Sequence, residues 1–185
     1  MNTTHTLARS VWHTAWYCLI VCGLVVQLRA EPQITVGTGN REVTIAFQLP
    51  VSDGDDVVPA LAACAKVTAR YSVELRRIVP GWLDRVMATA LVQNAAECVE
   101  GATSIYRLER RLNNDVVAES PAADERGAVR FLTEFDALPL FSAWMVREPG
   151  TYGIRVRVRA IVNRGGIIPP IKTGVLAETA FSIAR

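Results

Sequence analysis

The residues most able to do chemistry in this chain are carboxylates, arginines and two cysteines. Asp53, Asp55 and Asp56 crowd one short segment, as calcium ligands would. An EF-hand loop also needs a glutamate at its twelfth position, and counting from Asp53 that position is Cys64. The better reading is that Asp55 or Asp56 caps a helix over about 57–66 and favours its positive end. Glu74, Asp84, Glu134 and Asp136 are the carboxylates available for acid–base work on a glycan. Such an enzyme needs two of them about 5–9.5 Å apart in a cleft, and nothing in their spacing pairs them. Arg155, Arg157 and Arg159 alternate along one strand face and invite an anion. No aromatic residue interleaves them, so arginines paired with acids on neighbouring strands are the expected arrangement.

What is missing narrows the chemistry further. Both histidines, His5 and His13, lie in the first thirty residues. The remaining 155 residues therefore hold no Ser-His-Asp or Cys-His constellation and lack the commonest transition-metal ligand. No phosphate loop, nucleophile elbow or dinucleotide fingerprint occurs. Gly37-Thr38-Gly39 comes nearest, but it separates two strand-like runs and reads as a hairpin turn. No catalytic residue, cofactor or metal site is expected.

Those first thirty residues read as a leader. Positions 10–28 carry no formal charge, Arg9 precedes them, and Ala30 offers a small residue for cleavage before Glu31-Pro32. A signal peptide is the first reading. An uncleaved anchor is the second, since the stretch approaches the roughly 20 residues that span a bilayer and Trp12, Trp16 and Tyr17 suit an interface. Cys22 follows Val21, where a lipoprotein signal wants a small residue. Either reading exports residues 31–185, to the periplasm or the periplasmic face of the inner membrane. Any contact with the membrane is then expected only through an uncleaved N-terminal segment. The whole chain has 20 basic and 18 acidic groups, net +2. Without Arg9 and Arg29 the balance is zero, so no long-range field draws nucleic acid or an anionic membrane. In an oxidising compartment Cys64 and Cys98 allow one disulfide, closing 34 residues and contributing about 3 kcal/mol; two separate buried thiols are the alternative.

The positioning elements are mostly strands. Val43, Ile45, Phe47 and Leu49 share a face; so do Tyr71, Val73 and Leu75, with Ser72, Glu74 and Arg76 opposite. Pro80-Gly81 turns the chain, and Trp82 opens an extended run to about Gln93. Tyr106, Leu108 and Leu112 mark a strand over 104–112 that turns at Asn113-Asn114-Asp115 into Val116-Val117 as a hairpin. Ser120-Pro121 reads as a helix start, and Ala128, Val129, Leu132, Phe135 and Leu138 make a helical stripe over about 122–137. Gly127 weakens its first turns, and Pro139 stops it. Strands follow at 151–162 and 175–184. The expected fold is mainly β: an antiparallel β-sandwich of the immunoglobulin-like class, with about seven or eight strands and two short helical insertions, forming one domain over 31–185.

The order of short motifs is itself informative. Tyr71-Ser-Val-Glu-Leu-Arg-Arg77 precedes Pro80-Gly-Trp-Leu-Asp-Arg85. Ser104-Ile-Tyr-Arg-Leu108, Phe131-Leu-Thr-Glu-Phe-Asp-Ala-Leu138 and Glu148-Pro-Gly-Thr-Tyr-Gly-Ile-Arg-Val-Arg-Val158 follow. Over roughly residues 33–183 this resembles a bacterial family of exported proteins, domain of unknown function 4390. The resemblance implies a mostly β envelope protein, often encoded beside a nitrogen-regulation-type sensor kinase and its response regulator. Trp82, Asp84, Tyr106 and Tyr152 match recurring positions of the family; Cys64 and Cys98 do not. The family brings no catalytic set with it. The leading functional expectation is a non-catalytic interaction module with an envelope protein as partner. Its candidate contacts are Trp82, Tyr106, Trp144 and Tyr152, with Arg155, Arg157 and Arg159 beside them. A carrier of a small apolar ligand held between the sheets and a carboxylate-dependent glycan enzyme are the alternatives.

Overall fold

Alternating apolar residues build ten strands among the described residues, and the computed structural model arranges them in two antiparallel sheets. Residues 32–50, 57–99, 105–122, 124–163, 166–168 and 174–184 are described. The leader, the Asp53–Asp56 cluster and Pro169-Pro170 lie outside them. Residues 31–185 form one unit by their internal contacts.

The smaller sheet runs β1 (Gln33–Thr38), β2 (Glu42–Gln48) and β7 (Glu134–Ser142). The larger runs β10 (Gly174–Ile183), β8 (Gly150–Asn163), β3 (Val67–Ile78), β4 (Arg85–Cys98), β5 (Tyr106–Leu112) and β6 (Asp115–Ala122). The three-residue β9 (Gly166–Ile168) pairs with β8 off this path. The antiparallel sandwich is as expected. The strand count is higher than seven or eight because β7 and β9 were not legible as strands, while β6, expected only as the hairpin return at Val116-Val117, runs on to Ala122.

Between the sheets the inward residues of each strand meet. Val43, Ile45 and Phe47 of β2 face Tyr71, Val73 and Leu75 of β3, each 2% exposed or less. Phe47 stacks on Phe135 at 5.1 Å, and Tyr71 meets both rings edge-on at 5.7 and 5.8 Å. Side chains of this size contribute about 1.5–3 kcal/mol each when buried.

Helix α1 is Val57–Ala62, shorter than the expected 57–66. It ends because Cys64 takes a left-handed conformation, φ 56°. Cys64 N–H then donates to Leu61 O and Ala65 N–H to Ala60 O, the paired closing bonds of a Schellman motif. Helix α2 is Glu125–Thr133. Ser120-Pro121 does not start it; both residues belong to β6, an edge strand, the place in a sheet where proline is tolerated. The cap is Asp124, whose carboxylate accepts from Gly127 N–H at 2.7 Å. A Cβ on Gly127 would sit 3.1 Å from that carboxylate and 3.3 Å from Ala122 Cβ, so the glycine makes room for the cap.

Thr133 closes α2 and Glu134 opens β7 with no residue between them. Phe135 and Leu138 were expected on the helix. They lie instead on β7, where Ala137 at φ 42° and a register shift against β2 insert one extra residue. The bulge brings residues three apart onto one face, which is also the helical spacing.

The exposed C-terminal carbonyls of α2 are all satisfied from the sheets. Arg130 O accepts from Glu134 N–H, and Thr133 O from Leu49 N–H at 3.0 Å. Leu132 O accepts from the Tyr71 hydroxyl at 2.6 Å and Asn94 Nδ2 at 3.2 Å. Phe131 O accepts from Asn94 Nδ2 at 2.9 Å, and Glu134 O from Arg110 Nη2 at 2.7 Å. Arg110 Nε donates to Asn94 Oδ1 at 2.9 Å, and its guanidinium lies 4.7 Å from the Phe131 ring centre. Burial pushes the Tyr71 hydroxyl well above the usual tyrosine range, with the Arg110 charge opposing. Burial lowers Arg110 from its ordinary value, and Tyr71 opposes that. Tyr71, Asn94 and Arg110 thus form a buried polar clamp that fixes α2 and β7 to the large sheet.

Candidate interaction surface

The β3–β4 connection, Val79–Asp84, is a tight turn in which Trp82 N–H donates to Val79 O at 3.0 Å. Pro80 fixes the first central position and Gly81, φ 78°, supplies the positive angle that a type II turn demands. The extended run expected from Trp82 to about Gln93 is therefore strand only from Arg85, where β4 begins; Trp82–Asp84 belong to the turn and loop. The geometry projects Trp82 and Leu83 into solvent, 82% and 94% exposed. Asp84 closes the loop by pairing with Arg76 at 3.1 Å.

Trp144 reaches solvent by a different route. A 3-10 turn, Ala143–Val146, follows β7 and is held by Ala143 N–H on Arg41 O at 2.8 Å. Val146 turns into the core while Trp144 stays 65% exposed. A groove of about 280 Å³ lies beside it, lined by Arg77, Arg85, Val86, Met87, Trp144 and Arg147 among others. Arg77 is neutralised by Glu148. Arg85 and Arg147 have no acidic partner among the described residues. Trp82 stands three residues before Arg85, so the exposed turn and the groove belong to one end of the large sheet.

The other candidate contacts are placed elsewhere. Tyr106 is 4% exposed, and its hydroxyl donates to Leu61 O at 3.1 Å. Tyr152 is fully buried, and its hydroxyl donates to Glu148 O at 2.8 Å. Both are core residues that hold α1 and the β7–β8 connection, and neither side chain is exposed. Arg155 donates to Glu178 through Nε and Nη2 at 3.0 and 2.9 Å, and Arg157 lies 3.9 Å from Glu74. These are cross-strand pairs on the outer sheet face, not free anion ligands. Arg159 is exposed, beyond that ladder. The structure leaves Trp82 and Trp144 exposed towards one end of the large sheet; of the other five, Tyr106 and Tyr152 are buried, Arg155 and Arg157 are paired, and Arg159 lies beyond the ladder.

Compared with known proteins, the chain matches no family model, no curated protein and no solved structure.

The candidate catalytic carboxylates are dispersed among different partners. Asp84 is tied to Arg76, Glu74 to Arg157, and Glu134 to Gln48 and Arg130. Asp136 is exposed on β7. Among the described residues no three His, Cys, Asp or Glu side chains gather as metal ligands would. A second groove of about 480 Å³ lies by α2, lined by Gln48, Leu49, Val58, Arg126 and Arg130 among others. Cys64 and Cys98 are bonded as a disulfide with their Cα atoms 5.1 Å apart, joining the end of α1 to the end of β4. Lys66 and Glu97 pair beside it at 2.9 Å. No helix among the described residues is long and apolar enough to cross a membrane.

The sequence singled out both tryptophans but missed their setting. Arg85 and Arg147 carried no signal of their own. The type II turn did, in Pro80-Gly81.

Proposed function

We propose that this chain is a non-catalytic interaction module of the cell envelope, and that its working surface is the Trp82–Trp144 end. The observation that carries the reading is the exposure of two tryptophans towards one end of the large sheet, where two arginines have no acidic partner among the described residues. Tryptophan and arginine are the residues most enriched where binding energy concentrates. The disulfide supports an exported location, because such bonds persist in oxidising compartments. The family resemblance adds a link to a two-component signalling system encoded nearby. An apolar-ligand carrier would need open space between the sheets, where Phe47, Tyr71 and Phe135 pack against one another.

The test is a photo-crosslinking residue placed at Trp82, at Trp144 and, as control, at the exposed Glu119 of β6, in cells that make the protein. Products are analysed for both protein and lipid adducts. A specific envelope adduct at positions 82 and 144, absent at 119, is expected. Equal, background-level products at all three positions would overturn the proposal.

A further inference from the structure

The most exposed large apolar side chains of the described residues, Leu83 and Trp82, are adjacent in sequence and sit at the tip of a rigid turn. Isolated exposed apolar residues are ordinary, but this pair is not isolated. Val79 and Val86, 38% and 50% exposed, flank it on either side of the turn. Among the described residues nothing folds back over the tip: the turn's own hydrogen bond and the Asp84–Arg76 pair hold it outward. Arg85 and Arg147 stand behind it without acidic partners among the described residues, and the acids nearest in sequence, Asp84 and Glu148, are already spent on Arg76 and Arg77. The end of the domain therefore carries an apolar point backed by positive charge, while residues 31–185 as a whole are neutral.

We infer that this end seats the domain on an anionic phospholipid surface, with Trp82 and Leu83 entering the headgroup region and Arg85 and Arg147 meeting phosphates. The inference rests on the reading above of that end as the working surface, and names what occupies it. Tryptophan prefers the membrane–water interface, where its ring is half in apolar surroundings and its N–H stays wet. Apolar insertion and arginine–phosphate attraction add in such peripheral binding. A folded protein partner would instead bring a carboxylate for each arginine and a pocket for Trp82.

The test uses the full-length chain with Trp12, Trp16 and Trp144 replaced by Phe, so that Trp82 alone fluoresces. Vesicles of equal parts phosphatidylglycerol and phosphatidylcholine are compared with pure phosphatidylcholine, each with bromine near the headgroup end of the acyl chains. So that binding through the N-terminal apolar stretch does not count, the readout is the emission of Trp82 itself. A blue shift and quenching on the phosphatidylglycerol vesicles, much weaker on phosphatidylcholine, are expected. Arg85→Gln and Arg147→Gln should each lower partitioning of the tip about five-fold, whereas Arg85→Lys and Arg147→Lys should retain it. Because these side chains are exposed, the variants should melt as the parent does.

Unshifted, unquenched Trp82 on vesicle-bound chain would overturn the inference. If photo-crosslinks at Trp82 then go to a protein, the working surface stands and only its lipid occupant falls. If neither signal appears, both readings fall.

Discussion

Arg110 Nε donates to the side-chain carbonyl of Asn94 at 2.9 Å, and that bond orients both residues for their work on helix α2. Asn94 turns its amide hydrogens to Phe131 O and Leu132 O, which it can do only because Arg110 holds its oxygen. The arginine is the orienting partner, and it comes from the same face of β5 as Tyr106 and Leu108.

Arg110→Met should therefore destabilise the fold by about 2–4 kcal/mol, since Glu134 O and Asn94 Oδ1 lose their charged donor in a partly buried place. Arg110→Lys should recover only part of that loss, because a single ammonium cannot reproduce the fork. Urea denaturation at neutral pH measures both.

Tyr71→Phe should cost less, about 1 kcal/mol, because Leu132 O keeps its bond from Asn94. The cost of Tyr71→Phe should rise when Asn94 is replaced by Ala. A double-mutant cycle should give a coupling of at least about 0.5 kcal/mol, and an additive result would mean the shared acceptor is unimportant.

The raised Tyr71 hydroxyl sets a pH dependence with a defined sign. Its folded-state value lies above its unfolded one, so its contribution is complete below about pH 10 and is lost as pH rises beyond that. Stability should fall more steeply above pH 10 in the parent than in Tyr71→Phe. Urea midpoints across the alkaline range provide the comparison.

Cys64 carries two opposing effects. Replacing Cys64 and Cys98 with Ala and Ser removes a crosslink over 34 residues and should cost about 3–4 kcal/mol. Cys64→Gly with Cys98→Ser should cost about 1 kcal/mol less, because glycine accepts the left-handed cap conformation freely. Thermal melts of the two pairs separate the strain from the crosslink.

Ala137→Gly should stabilise the protein by about 0.5–1 kcal/mol. The relief of a left-handed alanine outweighs the added freedom of the unfolded chain. A lower melting temperature would mean that the bulge at β7 tolerates alanine without strain.

Much of the sandwich was legible because alternation survives wherever one sheet face is buried. Val43–Leu49 and Tyr71–Leu75 are of this kind. Where the alternation is broken, the reading failed for a physical reason. The bulge at Ala137 put Phe135 and Leu138 three residues apart on one strand face, so a strand took on the helical period. Ser120-Pro121 carries cap chemistry but sits on an edge strand, where that chemistry is tolerated without being used. Pairing of β8 with β3 and of β2 with β7 joins segments far apart in the chain, and no local pattern encodes it. Arg110 left one usable trace: it falls on the same alternating face as Tyr106, Leu108 and Leu112, and an arginine on an apolar face calls for a buried acceptor. At the candidate surface, Pro80-Gly81 foretold the turn, but whether an aromatic faces the core or solvent depends on packing. Tyr152 and Trp82 looked alike in the sequence and ended on opposite sides of that divide.

The direct passage from Thr133 to Glu134 has a kinetic consequence. With no linker to absorb motion, α2 cannot fray at its C-terminal end without pulling β7 from β2. The amide of Leu49, bonded to Thr133 O across the two elements, would open in the same event. Amide hydrogens at Leu49 and Glu134 should then exchange at a common rate, close to that of the slowest β3 amides. Helix and small sheet would open as one cooperative block rather than in steps.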